Sequence, residues 1–267
     1  MSASFVTASN QRLFNAATPI TGYPCSVGLW VRPTATGVAS RIFQIADSAS
    51  TNSFSLEVNT SNQFEIECNG GTSIAIVTTP TFTSGNWYYL VGRFISATNR
   101  RLVVLSFDGA IGSISSVVNT TPTGLINMAL GGDARTTAVN WFTGNVAEWW
   151  ITNTDIQPDG TALSNQTLAK LAYNGPFSVP IVANNLVDYR PLRYELGSEE
   201  DSGLDYYQGR LGRKNWVNTN GVTVGPHTPL ITSQYNLLRI QEKQWMYSYP
   251  DVAAATGGAI SQIYMYG

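Results

Sequence analysis

Short runs of β-forming residues alternate with turn chemistry along residues 25–152, a rhythm that few folds accommodate. Cys25–Arg32, Arg41–Ala46, Phe54–Val58 and Phe64–Cys68 are followed by Ser73–Thr78, Trp87–Ile95, Leu102–Phe107 and Ala110–Val118. Between them stand Asn69-Gly70-Gly71, Ser84-Gly85-Asn86, Asp108-Gly109 and Gly131-Gly132-Asp133, residues that accept positive φ or make side-chain turn bonds. Strands this short, at this spacing, indicate a sandwich or barrel. In Phe64–Cys68 the pleat is plain: Phe64, Ile66 and Cys68 share one face, Glu65 and Glu67 the other. Leu102-Val103-Val104-Leu105 is apolar at every position, as a strand covered on both sides requires. One segment breaks the pattern. Thr161–Tyr173 places Leu163, Thr167, Leu168, Leu171 and Ala172 at helical spacing and stops at Asn174-Gly175-Pro176, predicting one short helix outside the sandwich.

Composition removes several classes. Only 12% of the 267 residues are charged and 43% are hydrophobic, too apolar for disorder and too poor in charge for a coiled coil. Fifteen Lys+Arg against 17 Asp+Glu leave a net charge of −2, which supplies no field for coating nucleic acid or an anionic membrane. The longest apolar runs, Trp87–Val91, Leu102–Leu105 and Val146–Ile151, fall far short of the roughly 20 residues of a membrane-spanning helix. Residues 1–10 show neither the basic nor the apolar region of a secretory leader, so synthesis and folding in a cytosol are expected. Cys25 and Cys68 make no disulfide framework; buried reduced thiols are the simpler expectation, with one bond between them left open.

Several segments together resemble a known module. Ser26-Val27-Gly28-Leu29-Trp30-Val31-Arg32-Pro33 resembles the tryptophan strand of laminin-G-like, concanavalin A-like jelly rolls, and Arg41–Ile45 their next strand. Gly85-Asn86-Trp87-Tyr88-Tyr89-Leu90-Val91 is similar to a later strand, with Tyr88 where that family carries histidine. Leu105–Gly109, and Leu130-Gly131-Gly132 through Phe142-Thr143-Gly144 to Glu148, complete the landmarks in the family's order over about residues 5–155. Asn185–Tyr189 with Pro191-Leu192 is similar to a further strand seen in proteins carrying this module. The resemblance implies an all-β, two-sheet antiparallel jelly-roll sandwich over residues 1–178, followed by a C-terminal extension at 179–267. Its core is expected on Trp30, Phe43, Leu56, Phe64, Trp87, Leu105 and Val146.

Catalytic chemistry has little to stand on. One branch of that superfamily cleaves β-glucans with three carboxylates on one strand; Glu65-Ile66-Glu67 is the nearest text and lacks the third. His227 is the only histidine and no nucleophile motif accompanies it. No spacing suits zinc or nucleotide, so no cofactor is expected apart from calcium. Asp47, Asp108 and Asp133 fall in predicted inter-strand loops, where aspartate serves turn geometry. The resemblance adds a second use for them, as ligands of a rim calcium, a cation that takes 6–8 oxygens. Tyr88, Trp149 and Trp150 are the candidates for glycan or partner contact. Adjacent tryptophans on a strand point to opposite faces, so only one of the pair is free to face outward.

A non-enzymatic structural or adhesive component of a bacteriophage particle, a capsid decoration or head or tail fibre protein, is the leading expectation. Other virion subunits or further copies of the chain are its expected partners, with host-surface carbohydrate beside them. A soluble lectin or carbohydrate-binding module is the alternative, and a β-glucanase-like hydrolase the third. The residues past 230 bear on this choice. Leu237, Leu238, Trp245, Tyr247, Tyr264 and Tyr266 crowd a segment with few charges, broken by Pro250 and Gly257-Gly258. Such a surface must lie against something, either its own sandwich or a neighbouring subunit. Its aromatic content favours the neighbour, because interface cores are enriched in aromatic residues. Deleting residues 230–267 should therefore leave a folded, soluble sandwich that no longer self-associates. Size-exclusion chromatography and thermal unfolding of the truncated chain check this.

Overall fold

Alternating side chains build the interior, and the strands that carry them form two antiparallel layers. The computed structural model describes residues 2–71, 74–106, 111–116, 118–135, 137–159, 161–190, 192 and 217–226. In chain order the strands are β1 (Ser2–Phe5), β2 (Arg12–Asn15), β3 (Cys25–Pro33), β4 (Ser40–Ala46), β5 (Asn52–Val58) and β6 (Gln63–Gly70). Next come β7 (Ile74–Thr81), β8 (Tyr88–Ser96), β9 (Asn99–Ser106), β10 (Ile111–Ser116), β11 (Asn127–Leu130) and β12 (Gly144–Thr152). Helices α1 (Asn165–Asn174) and α2 (Pro180–Asn185) precede β13 (Leu186–Arg190), β14 (Val217–Thr219) and β15 (Thr223–Gly225). The first sheet runs β10-β9-β8-β3-β12-β1-β15, with β13 also on β12; the second runs β14-β2-β11-β4-β5-β6-β7. This is the expected jelly-roll sandwich. Among the described residues no helix is long and apolar enough to cross a membrane.

Phe43, Phe54, Leu56, Phe64 and Ile66 from the second sheet meet Val27, Leu29, Val31, Leu90, Phe94 and Val146 from the first. Of the expected core, Phe43, Leu56, Phe64 and Val146 lie between the sheets, whereas Trp30, Trp87 and Leu105 are buried outside that cluster. Trp30 pairs with Tyr89, and Tyr89 with Leu105, so these three share the opposite face of the first sheet. Leu102–Leu105 is buried at all four positions, as its composition required.

The boundary expected at residue 178 is not a boundary of the sheets. β13 pairs with β12, β15 with β1, and β14 with β2. Three short strands from the expected extension thus join the sandwich, two of them, β15 and β14, pairing the outer backbone groups of β1 and β2. Residues 228–267, with Leu237, Leu238, Trp245, Tyr247, Tyr264 and Tyr266, lie outside the described residues.

The phase of β12 is set by a bulge. Val146 and Ala147 pair with Val31 and Trp30, but Trp150 is the next residue in register, opposite Gly28. Glu148 takes up the extra position at φ 52°, a left-handed conformation. As a result Val146, Trp149 and Ile151 all face the core, while Trp150 faces outward. Its indole lies across Gly28, where a Cβ would sit 2.3 Å from the ring, and its Nε1 donates to the Tyr89 hydroxyl at 2.8 Å.

Helix α1 covers that outward face. Ser164 caps it by accepting from Thr167 N, and Gly175, at φ 78°, ends it. Leu168, Leu171 and Ala172 are its buried residues, and Ala172 O receives Trp30 Nε1 at 2.8 Å. The connection leading to α1 is clamped by Arg93, fully buried, which holds Asp155 through Nε at 2.6 Å and Nη2 at 2.8 Å. Removing one partner of such a buried pair costs about 3–5 kcal/mol. Gly28→Ala forces a methyl group into the Trp150 ring and should destabilise the protein by about 1–3 kcal/mol. A lowered midpoint of urea unfolding with an unchanged slope checks it.

Candidate functional site

The aromatic candidates turn inward. Trp149 is fully buried, its ring 5.9 Å from that of Phe43, and Trp150 is fully buried where Tyr89 bonds it. Tyr88 packs its ring on Phe64 at 5.2 Å, while its hydroxyl accepts from Thr83 N at 2.8 Å. Neither tryptophan offers an open ring to a glycan or a partner, whereas Tyr88 is half-buried. Alternation did separate the two tryptophans, but the outward one is buried where it meets Gly28 and Tyr89.

Of the three aspartates, the two described, Asp47 and Asp133, are engaged in separate networks. Asp47 is a turn residue: its carboxylate accepts from the backbone of Ala49, Thr51 and Asn52 and from the side chains of Thr51 and Asn52. Burial pushes its carboxyl up, but the bonds from Asn52 and Thr51 outweigh that and hold it below its ordinary value. Asp133 is fully buried and committed to arginines. Asp108 and His227 lie outside the described residues. Among the described residues no three acidic, histidine or cysteine side chains cluster as metal ligands would. Cys25 and Cys68 are free and buried, and desolvation pushes both thiols up, away from thiolate chemistry.

The most concentrated polar chemistry lies on the outer face of the second sheet. Since Phe43, Ile45, Phe54, Leu56, Phe64 and Ile66 point into the core, Gln44, Ser53, Ser55, Glu57, Glu65 and Glu67 point the other way. Cross-strand register sets Gln44 beside Ser55, Ser55 beside Glu67, and Glu57 beside Glu65. Arg41 joins the group after a bulge between Arg41 and Phe43. Its Nη1 pairs with Glu57 and lies 3.4 Å from Glu67, while its Nε is 2.8 Å from Asp133. Sequence reading found Glu65 and Glu67 but missed Glu57, which β5 brings alongside. Period-two alternation in Ser53–Ser55–Glu57 was the available signal.

A strap of chain, Gly131–Arg135, lies over this face. Ala134 N donates to Gln44 Oε1 at 2.7 Å, and Arg12 Nη1 donates to the carbonyls of Asp133 and Arg135 at 2.6 and 2.7 Å. Arg135 returns to Asp133 at 2.6 Å, and Ala134 packs on Ala46 and Ala129. Trp141 covers Gly132, and the Arg12 guanidinium lies 4.4 Å from the Phe14 ring and 5.8 Å from that of Trp141. The contacts that tie the strap to Gln44, Arg12 and Arg41 were not legible in the sequence, because each joins residues remote along the chain.

Retaining glycoside hydrolysis needs one carboxylic acid and one available carboxylate about 5 Å apart. Glu57 and Glu67 instead share one arginine. Glu65 is the exception: burial, with Glu67 nearby, pushes its carboxyl above the ordinary value despite a 2.7 Å bond from Asn59. A carboxyl raised on folding contributes most stability when protonated and loses it as pH rises through its folded value. Glu65→Gln should therefore be more stable than the parent at pH 7, with the gap closing as pH falls below about 4. Denaturation midpoints across that range check the sign.

Comparison with known proteins agrees with the architecture. The sequence model of the laminin-G family described as the concanavalin A-like lectin/glucanases superfamily matches residues 6–159. No curated protein matches the chain. Among solved structures, tailspike protein 2 from Escherichia coli O157:H7 bacteriophage CAB120 is 16% identical with a TM-score of 0.51, covering 72% of this chain and 28% of its own. A heptameric SAP-like pentraxin from Limulus polyphemus is 15% identical with a TM-score of 0.48, over 64% of this chain and 81% of its own. The CBM40 of the Ruminococcus gnavus IT-sialidase, solved with α2,3 sialyllactose, is 12% identical with a TM-score of 0.48, over 64% and 96%. At these identities the likeness is one of fold. With its two-sheet sandwich and a family match over more than half its length, the chain belongs to the concanavalin A-like lectin/glucanases superfamily.

Proposed function

We propose that this protein is a non-enzymatic adhesive or structural component of a bacteriophage particle, with carbohydrate as the class of ligand its sandwich presents itself to. The observation that carries the non-enzymatic part is Arg41, which holds Glu57 and Glu67 in ion pairs on the face where carboxylates gather. Other described acids are likewise engaged: Asp133 with Arg41 and Arg135, Asp155 with Arg93, and Asp188 with Arg190. Such pairs stabilise charge in the resting protein and argue against an acid–nucleophile couple among these described acids. Support for the viral part is a likeness of fold, since a bacteriophage tailspike contains a similar sandwich. The near-neutral charge agrees with a role away from nucleic acid.

Two measurements test the reading. Sedimented and washed particles from the culture that makes the protein should carry it in fixed stoichiometry, as quantitative mass spectrometry reports. Recovery only in the soluble fraction would sink the particle assignment and leave a soluble lectin. Incubation with laminarin and mixed-linkage β-glucan should release no reducing sugar. A turnover abolished by Glu67→Gln would make the protein a hydrolase.

A further inference from the structure

Each sheet ends on one long strand and one short one. Among the described residues, β7 and β10 are the last strands on one side of the sandwich, where they lie next to each other. The three-residue strands β14 and β15 are last on the other. A short edge gives little template for a further strand, whereas a long one invites pairing unless charge, proline or a cover guards it. Charge does not guard this side. No Asp, Glu, Lys or Arg occurs between Glu67 and Arg93, the stretch that holds β7, nor between Asp108 and Asp133, which holds β10. β7 is the longer of the two. Its residues Ile74–Thr78 keep regular register on β6, and Pro80 stands only beyond them. Ile76, opposite Glu67 on the outer face, is 47% exposed, an apolar side chain open to solvent on the edge itself.

We propose that Ala259–Tyr266 of one copy adds a strand to β7 of a neighbouring copy, so that chains join head to tail. The segment lies outside the described residues, and its sequence suits the task. It has no charge, proline or glycine, and carries Ile260, Ile263, Tyr264 and Tyr266, all strand formers. Main-chain bonds supply the affinity of an added strand, so an uncharged edge and an uncharged partner suffice. The neighbour is favoured over the chain's own β7 by where the sandwich ends. Pro226, whose carbonyl accepts from Ser2 Oγ at 2.7 Å, follows β15 at the short-edged side. Six strand spacings separate β15 from β10, and six separate β14 from β7. At roughly 4.8 Å each that is about 29 Å. The chain's own segment would have to cross this width, whereas a neighbour set side by side brings its β7 to the exit. Repeating the contact closes a ring or continues as a filament. The inference goes beyond the particle reading and is tested apart from it.

Analytical ultracentrifugation of the purified full-length protein tests the contact. The parent should sediment as an oligomer. Ile76→Lys, a change at an exposed position, should return it to the monomer while circular dichroism reports an intact sandwich, and Ile263→Lys should do the same from the donor side. A monomeric parent, or variants that stay oligomeric, would overturn the proposal. Photo-crosslinking identifies the occupant. Protein with benzoylphenylalanine placed at Tyr264 exchanges subunits with an excess of heavy-isotope protein and is then irradiated. Mass spectrometry should find the label joined to heavy peptides from residues 74–81. Links to light peptides alone would mean that each chain covers its own β7, and links to β10 or another surface would mean that β7 is not the acceptor. Either result overturns the proposal, and neither bears on whether the protein sediments with particles.

Discussion

In the middle of the first sheet β12 uses three residues where its neighbour β3 uses two, and Glu148 absorbs the difference. Much of that sheet depends on this local departure. With unbroken alternation, Val146 and Trp150 would share a face, and Trp149 would point out of the sandwich. The bulge restores Trp149 to the core beside Phe43 and presents Trp150 to Tyr89 and Gly28 on the other side. One extra residue thus lets a single strand place two large rings in two separate packing layers. The left-handed backbone it requires is uncommon for a glutamate. Its carboxylate is buried and accepts the Tyr189 hydroxyl of β13, so the strand on the far side of β12 helps to hold the irregularity in place.

The two outer faces are finished by different physics. On the first sheet α1 buries Leu168 and Leu171 and sets Tyr173 beside Trp30, with one indole-to-carbonyl bond fixing the helix end. On the second sheet Gly131–Arg135 is held by ion pairs and backbone carbonyls over serine, glutamine and glutamate. Stripping the first cover would expose apolar area at about 25 cal/mol per Å². Stripping the second would break buried ion pairs of Asp133, a loss of another kind but not a small one.

Local patterning made the fold largely readable. The alternation in Phe64–Cys68 and the apolar run Leu102–Leu105 report their burial directly, and Ser164, Gly175 and the leucine spacing mark α1. Strands of three or four residues carry no such signal. β1, β2, β14 and β15 exist because a neighbouring edge pairs with them, which no window of sequence records. The outer-face site was less legible still. Glu65 and Glu67 announce a polar face, but Glu57, Arg41 and Asp133 join it only through strand register and a folded-back strap. Tyr88 is ambiguous for a related reason: a tyrosine on a strand reads the same whether its ring meets sugar or Phe64.

The pairing of β14 with β2 and β15 with β1 also orders events in time. A ribosome delivers the amino-terminal strands long before residues 217–225 exist. Until then β1 and β2 can bind β12 and β11 on one side only, leaving the other rows of amides and carbonyls open. Exposed edges of this kind recruit strands from neighbouring chains, and pairings so distant in sequence form slowly. Nascent copies on one messenger would therefore be prone to cross-pair. Completion of the sandwich waits for nearly the whole of the described chain to be synthesised, so β1 and β2 stay open on one side until late in translation, when the two short strands β15 and β14 replace them at the sheet edges.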